Sequence, residues 1–240
     1  CYPGTPSSEI PDNFFTMFKE GGFYFEYSTN EKVALEVAAG ASISGVRSIC
    51  TMKHVGMNVA SDTLMTLAYL GVNAGMVVIN ADDPFLFSSQ NEQDNRYYAR
   101  LSGLPMIEPT TAQEMKDMTV DAFDLSEQLK LPVVLRTTTR LNHIRGKVQF
   151  GPVQPINSKG FFKKDPFHYV AIPAVSRNLH KILVEKYDQA LELSEKSKYN
   201  QLIGCGKWGI ITNGVSMNYV QDAINDLGIG EKVAILRLGF

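Results

Sequence analysis

Three places in the chain concentrate residue types able to do chemistry. In residues 27–34 a strand end, a cap and a helix start follow one another, with Glu31 opening the helix. Open α/β sheets collect ligands at the carboxyl ends of strands beside helix N-termini, where a carboxylate can hold or move a proton. Glu31 could equally do no more than complement the helix dipole, and the residues alone leave both readings open. In residues 51–58, Lys53 and His54 supply two titratable groups beside Gly56, which permits close approach of backbone or ligand. His54 reads either as a satisfied structural histidine or as a catalytic one. Ala81-Asp82-Asp83-Pro84 then leads into residues 88–96, a run of amides and carboxylates richer than a plain turn requires. Adjacent acids such as Asp82 and Asp83 are common in turns, and no metal is assigned to them.

These groups need a scaffold that brings strand ends together. Short apolar runs at 23–26, 46–50, 76–80, 105–107 and 132–136, flanked by Gly, Pro or polar turns, read as buried strands. Helical patterns alternate with them, which predicts βαβ units around a mostly parallel sheet. Ser7 or Ser8 is expected to cap a helix over 9–20, Asn30 one over 31–44, and Thr111 one over 112–129, with Glu114 at the capping-box spacing. The Ala, Gly and Ser of residues 34–44 predict close packing against another element. Four of the eleven prolines fall in 151–173, so a linker is expected over 151–177. Beyond it, Leu179, Ile182, Leu183, Tyr187, Ala190 and Leu191 recur at helical spacing, an apolar stripe expected to pack into the core. A strand at 209–212, a helix over 216–227 and a strand over 233–238 then open a second α/β domain. The turn-like start and the strand almost at the end make the chain read as an excerpt from a longer polypeptide.

Composition narrows the function classes. The 240 residues are 44% hydrophobic and 20% charged, ordinary values for a folded domain. A formal charge of −2 provides no global field that would draw the chain to nucleic acid or anionic lipid. Cys1, Cys50 and Cys205 are odd in number and far apart, which fits a reducing, cytoplasmic compartment and cannot build an iron–sulfur cluster. No apolar run approaches the roughly 20 residues of a membrane-spanning helix. No Walker, H-E-x-x-H, G-x-S-x-G or C-x-x-C signature is present, and no G-x-G-x-x-G follows one of the strands read from the sequence.

Tyr2-Pro3-Gly4-Thr5-Pro6-Ser7-Ser8-Glu9-Ile10, Asn30-Glu31-Lys32-Val33-Ala34-Leu35-Glu36, Thr51-Met52-Lys53-His54-Val55-Gly56 and Ser88-Ser89-Gln90-Asn91-Glu92-Gln93-Asp94-Asn95-Arg96 together resemble the 2-oxoacid:ferredoxin oxidoreductases, most closely their indolepyruvate branch. The likeness runs on through Leu135-Arg136-Thr137-Thr138-Thr139-Arg140 and Gly209-Ile210-Ile211-Thr212-Asn213-Gly214-Val215-Ser216. It implies an α/β fold: a parallel-sheet domain over 1–150 that binds the pyrimidine of thiamine diphosphate, followed from 178 to 240 by a helix and the beginning of a transketolase-C-terminal-like domain.

The resemblance gives Glu31 the role of the carboxylate that hydrogen-bonds N1′ of the aminopyrimidine, favouring the tautomer that takes the C2 proton of the thiazolium. It also implies cofactor binding by Thr5 and Gly56, substrate contact by Thr5, Lys53 and His54, and a catalytic part for His54. Relatives acting on pyruvate carry an arginine near the place of Asp82 and Asp83, and that departure fits a larger aryl 2-oxoacid. The implied reaction is oxidative decarboxylation with coenzyme A, reducing ferredoxin. Because no Gly-Asp-Gly motif is present, magnesium, the diphosphate and 4Fe–4S clusters are expected outside this segment, on further domains or subunits. A homodimer or higher oligomer is also implied. A noncatalytic assembly module of the same fold and a thiamine-dependent carboligase are the competing readings.

Overall fold

The computed structural model describes residues 1–153 and 159–240; residues 154–158, including the linker's Pro155, lie outside the described residues. In chain order the first half comprises α1 (Glu9–Gly21), α2 (Glu31–Ile43), β1 (Ser48–Lys53), α3 (His54–Val59), α4 (Ser61–Leu70), β2 (Met76–Asp82), α5 (Arg96–Ser102), β3 (Met106–Ile107), α6 (Ala112–Leu129) and β4 (Val133–Thr138). There follow α7 (Thr139–Asn142), α8 (Pro166–Tyr169), α9 (Pro173–Glu195), β5 (Gln201–Gly204), β6 (Trp208–Asn213), α10 (Ser216–Leu227) and β7 (Val233–Leu238).

β1, β2, β4 and β3 form a four-stranded sheet in that order, entirely parallel. Alternate residues of its strands face opposite layers, as the two-residue period requires. Met76, Val78 and Val134 join Ala34, Leu35, Ala38 and Leu64 of α2 and α4 on one side. Val77, Ile79, Val133 and Leu135 meet Met118 and Ala122 of α6 on the other. The small residues of α2 do allow close packing: the Ser42 hydroxyl donates to the Ala74 carbonyl at 2.6 Å, and Ser48 donates to Ala38 at 2.8 Å.

Asn30 caps α2 through Val33 N–H, and Thr111 caps α6 through Glu114 N–H. Glu114 returns its carboxylate to Thr110 N–H, one residue before the expected partner. Ser7 and Ser8 do not cap α1, because the Ser7 hydroxyl donates instead to the Gly4 carbonyl at 2.7 Å and tightens the turn ahead of the helix. Nor do residues 23–26 form a strand. Their alternating aromatics pack on α1, with Phe23 on Phe14 and Phe25 on Phe15 and Phe18, so the period-two pattern records contact with a helix rather than sheet pairing. Helix α9 begins at Pro173, a residue well suited to the first helical turn, rather than at 178. Within its stripe Leu179, Leu183 and Ala190 are buried, whereas Tyr187 and Leu191 are exposed.

The second sheet is three-stranded, in the order β5, β7, β6, with β5 antiparallel to β7. It packs one face on α10 through Met217, Ile224, Val233 and Ile235. It docks on the β3 edge of the first sheet by polar contacts. Glu108 N–H donates to the Gly239 carbonyl at 3.0 Å, Asn213 donates to the Glu108 carboxylate at 2.9 Å, and Arg237 pairs with Glu114 at 2.6 Å. Gly214, at φ 51°, presses its bare Cα on Glu108, and a Cβ there would collide with the carboxylate.

Besides that of Arg237, a second buried guanidinium belongs to Arg136. Arg136 of β4 pairs through Nε with Asp82 of β2 at 2.7 Å and through a terminal nitrogen with Glu108 at 2.7 Å. Burial raises the carboxyl pKa of Asp82 and Glu108, with Arg136 opposing the rise in each. Removing the cation alone would strand two buried carboxylates. Arg136→Met is therefore expected to lower the unfolding free energy by about 3–5 kcal/mol in urea titrations. Adding Asp82→Asn and Glu108→Gln in the same background should return part of that loss.

Candidate active site at the carboxyl edge of the parallel sheet

The N-terminal segment reaches this edge through backbone pairing. Tyr2 N–H donates to the Thr51 carbonyl of β1 at 3.2 Å, and Ser28 N–H donates to the Cys1 carbonyl at 2.9 Å. Residues 26–28 thus lie beside residues 1–2, which lie beside β1, and the start of α2 is delivered to the end of β1 with no strand of its own.

Glu31, the first residue of α2, points inward. It is 9% exposed and, among the described residues, its carboxylate takes part in no hydrogen bond or ion pair. Gly56 of α3 sits against it: a Cβ at Gly56 would fall 2.5 Å from Glu31 Cγ and 2.6 Å from Oε1. The buried Cys50 thiol of β1 also senses it. Burial pushes that thiol up to about 12, the amino terminus pulling it down and the Glu31 carboxylate pushing it further up. Glu31 and Gly56, chosen from separate stretches of sequence, therefore meet in space, with Cys50 close by.

Thr5 and Lys53 are also brought together. The Lys53 stem runs under the Gly4–Thr5 turn so tightly that a Cβ on Gly4 would lie 2.7 Å from Lys53 Cδ. Thr5 is exposed, and its carbonyl receives the Ser88 hydroxyl at 3.4 Å. His54 is fully buried at the start of α3, with Nε2 2.9 Å from the Asn91 carbonyl. A carbonyl only accepts, so Nε2 carries the proton and Nδ1, buried without a partner, keeps the lone pair when the ring is neutral.

The polar loop predicted from sequence closes over these groups. Asp82 receives Asn95 N–H at 3.1 Å, and the Asn95 amide donates to Asn80 at 2.9 Å and to the His54 carbonyl at 3.2 Å. Asp83 receives Thr139 Oγ1 at 2.5 Å, Ser88 N–H at 2.8 Å and Phe87 N–H at 3.2 Å. Asp83 and the Oδ2 of Asp82 are committed to the scaffold, while Asp82 Oδ1 is buried without a hydrogen-bond partner. Between them and Ser88, Phe85 and Leu86 hold φ of 70° and 60°, a left-handed backbone that costs non-glycine residues on the order of 1–3 kcal/mol each. The Asp83 hydrogen bonds offset that strain. Sequence reasoning missed Arg136 as the partner of Asp82, and the one available signal was a lone cation inside an otherwise apolar and β-branched strand.

A family model described as pyruvate flavodoxin/ferredoxin oxidoreductase, thiamine diphosphate-binding, matches residues 1–196. The chain belongs to that family. Indolepyruvate oxidoreductase subunit IorA of Methanothermobacter thermautotrophicus is 52% identical over 242 residues, covering all of this chain and 39% of that protein. The same subunit of Pyrococcus abyssi is 48% identical over 246 residues, covering all of this chain and 38% of the relative. This chain thus spans about two fifths of the length of these curated relatives. Among solved structures, the 2-oxoglutarate:ferredoxin oxidoreductase from Magnetococcus marinus, with 2-oxoglutarate, coenzyme A and succinyl-CoA bound, superposes with a TM-score of 0.76 at 18% identity. That match covers all of this chain and 50% of that one, and it shows a shared fold.

One consequence concerns acid. Burial works to raise the Asp83 carboxyl, but the Thr139, Ser88, Ser89 and Phe87 donors outweigh it and hold the value down to about 2 from the ordinary 3.8. Since the folded value lies below the unfolded one, the carboxylate's grip on the loop is complete above 3.8 and is lost as pH falls through about 2. Carbon NMR of the Asp83 carboxyl should show that low midpoint, and Thr139→Val should move it upward. A midpoint near the ordinary value in the unmutated protein would contradict this geometry.

Proposed function

We propose that this chain supplies the aminopyrimidine-binding half of a thiamine diphosphate site in an enzyme that oxidatively decarboxylates an aryl 2-oxoacid of the indolepyruvate type. In this reading coenzyme A takes the acyl group and ferredoxin the electrons. The observation that carries it is the unpartnered, inward-facing Glu31 carboxylate with the bare Cα of Gly56 against it. A cradle of this kind fits a flat heteroaromatic ring: a carboxylate takes the ring's proton-bearing nitrogen, and the missing Cβ leaves that carboxylate its position.

When bound, thiamine diphosphate supplies the electron sink that lets a 2-oxoacid lose carbon dioxide. The chain's own residues do the rest of what is assigned to this half. Glu31 holds the proton at N1′ of the ring, and its burial keeps water from competing for it. Gly56 allows the approach. Thr5 and Lys53 meet the substrate from the N-terminal turn, Lys53 offering a cation with no carboxylate partner among the described residues. His54 secures the 88–95 loop through Nε2–H, and any proton it exchanges passes through Nδ1. Magnesium, the diphosphate-binding domain and the 4Fe–4S clusters belong to the remainder of a cytoplasmic assembly, in which two or more copies pair. Among the described residues no helix is long and apolar enough to cross a membrane.

The test is Glu31→Gln in the assembled enzyme, following viologen reduction with indolepyruvate and coenzyme A. Turnover should fall by about 100-fold or more, the scale of a lost positioned proton-transfer group, with the thermal midpoint little changed. Turnover at the unmutated rate would remove Glu31 from the site and the reading with it.

A further inference from the structure

Four cations surround the carboxyl edge of the parallel sheet. Arg136 is taken up by Asp82 and Glu108, and Arg96 by Asp94 at 2.6 Å. Lys53 and Arg140 have no carboxylate partner among the described residues. Arg140, in the first turn of α7 directly after β4, is exposed, and its guanidinium carbon lies 5.2 Å from the centre of the Phe87 ring. Phe87 in turn tilts against Phe85, with ring centres 5.7 Å apart. Both rings remain open to solvent, 54% and 81% exposed.

This corner belongs to the site by connection. Ser88, next to Phe87, reaches the Thr5 carbonyl; Thr139, next to Arg140, holds Asp83, which holds the Phe87 and Ser88 backbone. His143, just past α7, lies 3.3 Å from Glu9 at the start of α1, so the α7 end is tied to the segment that carries Thr5. Thr5, Phe87 and Arg140 are therefore tied to one another through Ser88, Asp83 and Thr139.

We infer that Arg140 and Phe87 form the substrate-selecting pair of this site, an inference that rests on the 2-oxoacid reading above. A guanidinium stacked on a ring by its face keeps its edge of N–H donors free, and that edge matches a carboxylate in two parallel hydrogen bonds. The rings of Phe87 and Phe85 present exposed apolar surface beside it, suited to an aromatic side chain in offset or edge-to-face contact. An aryl 2-oxoacid offers both groups: the carboxylate meets Arg140 and the aryl group meets the phenylalanines. Phe85 and Leu86 hold a left-handed backbone in the turn that carries this exposed aromatic pair.

The test uses the assembled enzyme with indolepyruvate, phenylpyruvate and pyruvate, comparing the unmutated protein with Arg140→Gln, Arg140→Lys and Phe87→Leu. Arg140→Gln should raise KM for indolepyruvate about 10- to 100-fold, the scale of a lost charge-assisted hydrogen bond, with kcat little changed. Arg140→Lys should recover only part, because an ammonium cannot both stack and grip in two places. Phe87→Leu should raise KM for the two aryl acids but not for pyruvate. Calorimetric titration of indolepyruvate into the assembled enzyme stripped of thiamine diphosphate, where no carbon dioxide can be lost, should show the same loss of affinity in Arg140→Gln, independently of turnover. If the unmutated enzyme turns over indolepyruvate while Arg140→Gln and Phe87→Leu keep its KM and affinity, the pair is refuted and the 2-oxoacid reading stands. An unmutated enzyme that turns over no aryl 2-oxoacid would overturn both.

Discussion

One guanidinium organises both sheets. Arg136 lies on β4, the strand between β2 and β3, and its two buried carboxylate partners reach it from either side, with Asp94 farther off at 3.9 Å. Asp82 passes the constraint to Asn95 and thereby to the loop that covers the site. Glu108 passes it to Asn213 and the second sheet. A buried cation between two buried anions is weak evidence for net stability, since taking three charges from water costs several kcal/mol each. Its value lies in direction. A hydrophobic triad would pack as well but would not fix which strand ends adjoin which loop; here the ion triad does so for the loop reached through Asn95 and for the second sheet reached through Asn213, while the N-terminal segment is held separately by Tyr2 N–H on the Thr51 carbonyl.

Glycine fixes the other half of the geometry. Gly4 admits the Lys53 stem, Gly56 admits the Glu31 carboxylate and Gly214 admits Glu108; in each case the first atom of a side chain would collide with the charged residue opposite. The site thus consists of charged groups held against bare backbone. Glu108 is held as well by Arg136 and Asn213, but at Glu31 and Lys53 the contact keeps the charged group in place without an ion pair from the scaffold, leaving its polar atoms for something else. That is why Glu31 can be inward-facing and yet unpartnered, an arrangement that a capping or dipole role alone does not require.

The two-sided burial of β2, the caps at Asn30 and Thr111 and the helix α10 were all legible in sequence, because each depends on residues within a few positions of one another. Phe23, Phe25 and Tyr27 misled for the same reason: local alternation cannot say whether the partner is a strand or the ridge of a helix. Strand β5 left no trace, being four exposed residues extended by pairing with β7, 30 to 36 positions away. At the site, family motifs singled out Glu31 and Gly56 separately, but no spacing rule joins residues 25 apart across two helices. Arg136 and Asp82, 54 residues apart, were hidden likewise.

The loop between β2 and α5 shows how these constraints combine. Two non-glycine residues in left-handed backbone would relax if the turn were free, and glycine at either position would remove the strain at no steric cost. The chain has Phe85 and Leu86 there instead, with Phe87 next to them, all three exposed. Apolar side chains that gain no burial cannot offset backbone strain, so the stabilisation comes from the donors gathered by Asp83 and from Glu92, which receives Phe85 N–H. Two carboxylates thus hold an aromatic turn in a shape its own residues resist. The physical sense of that arrangement lies in presentation: the scaffold keeps the rings of Phe85 and Phe87 exposed beside Arg140, where an aromatic ligand would supply the burial that the protein withholds.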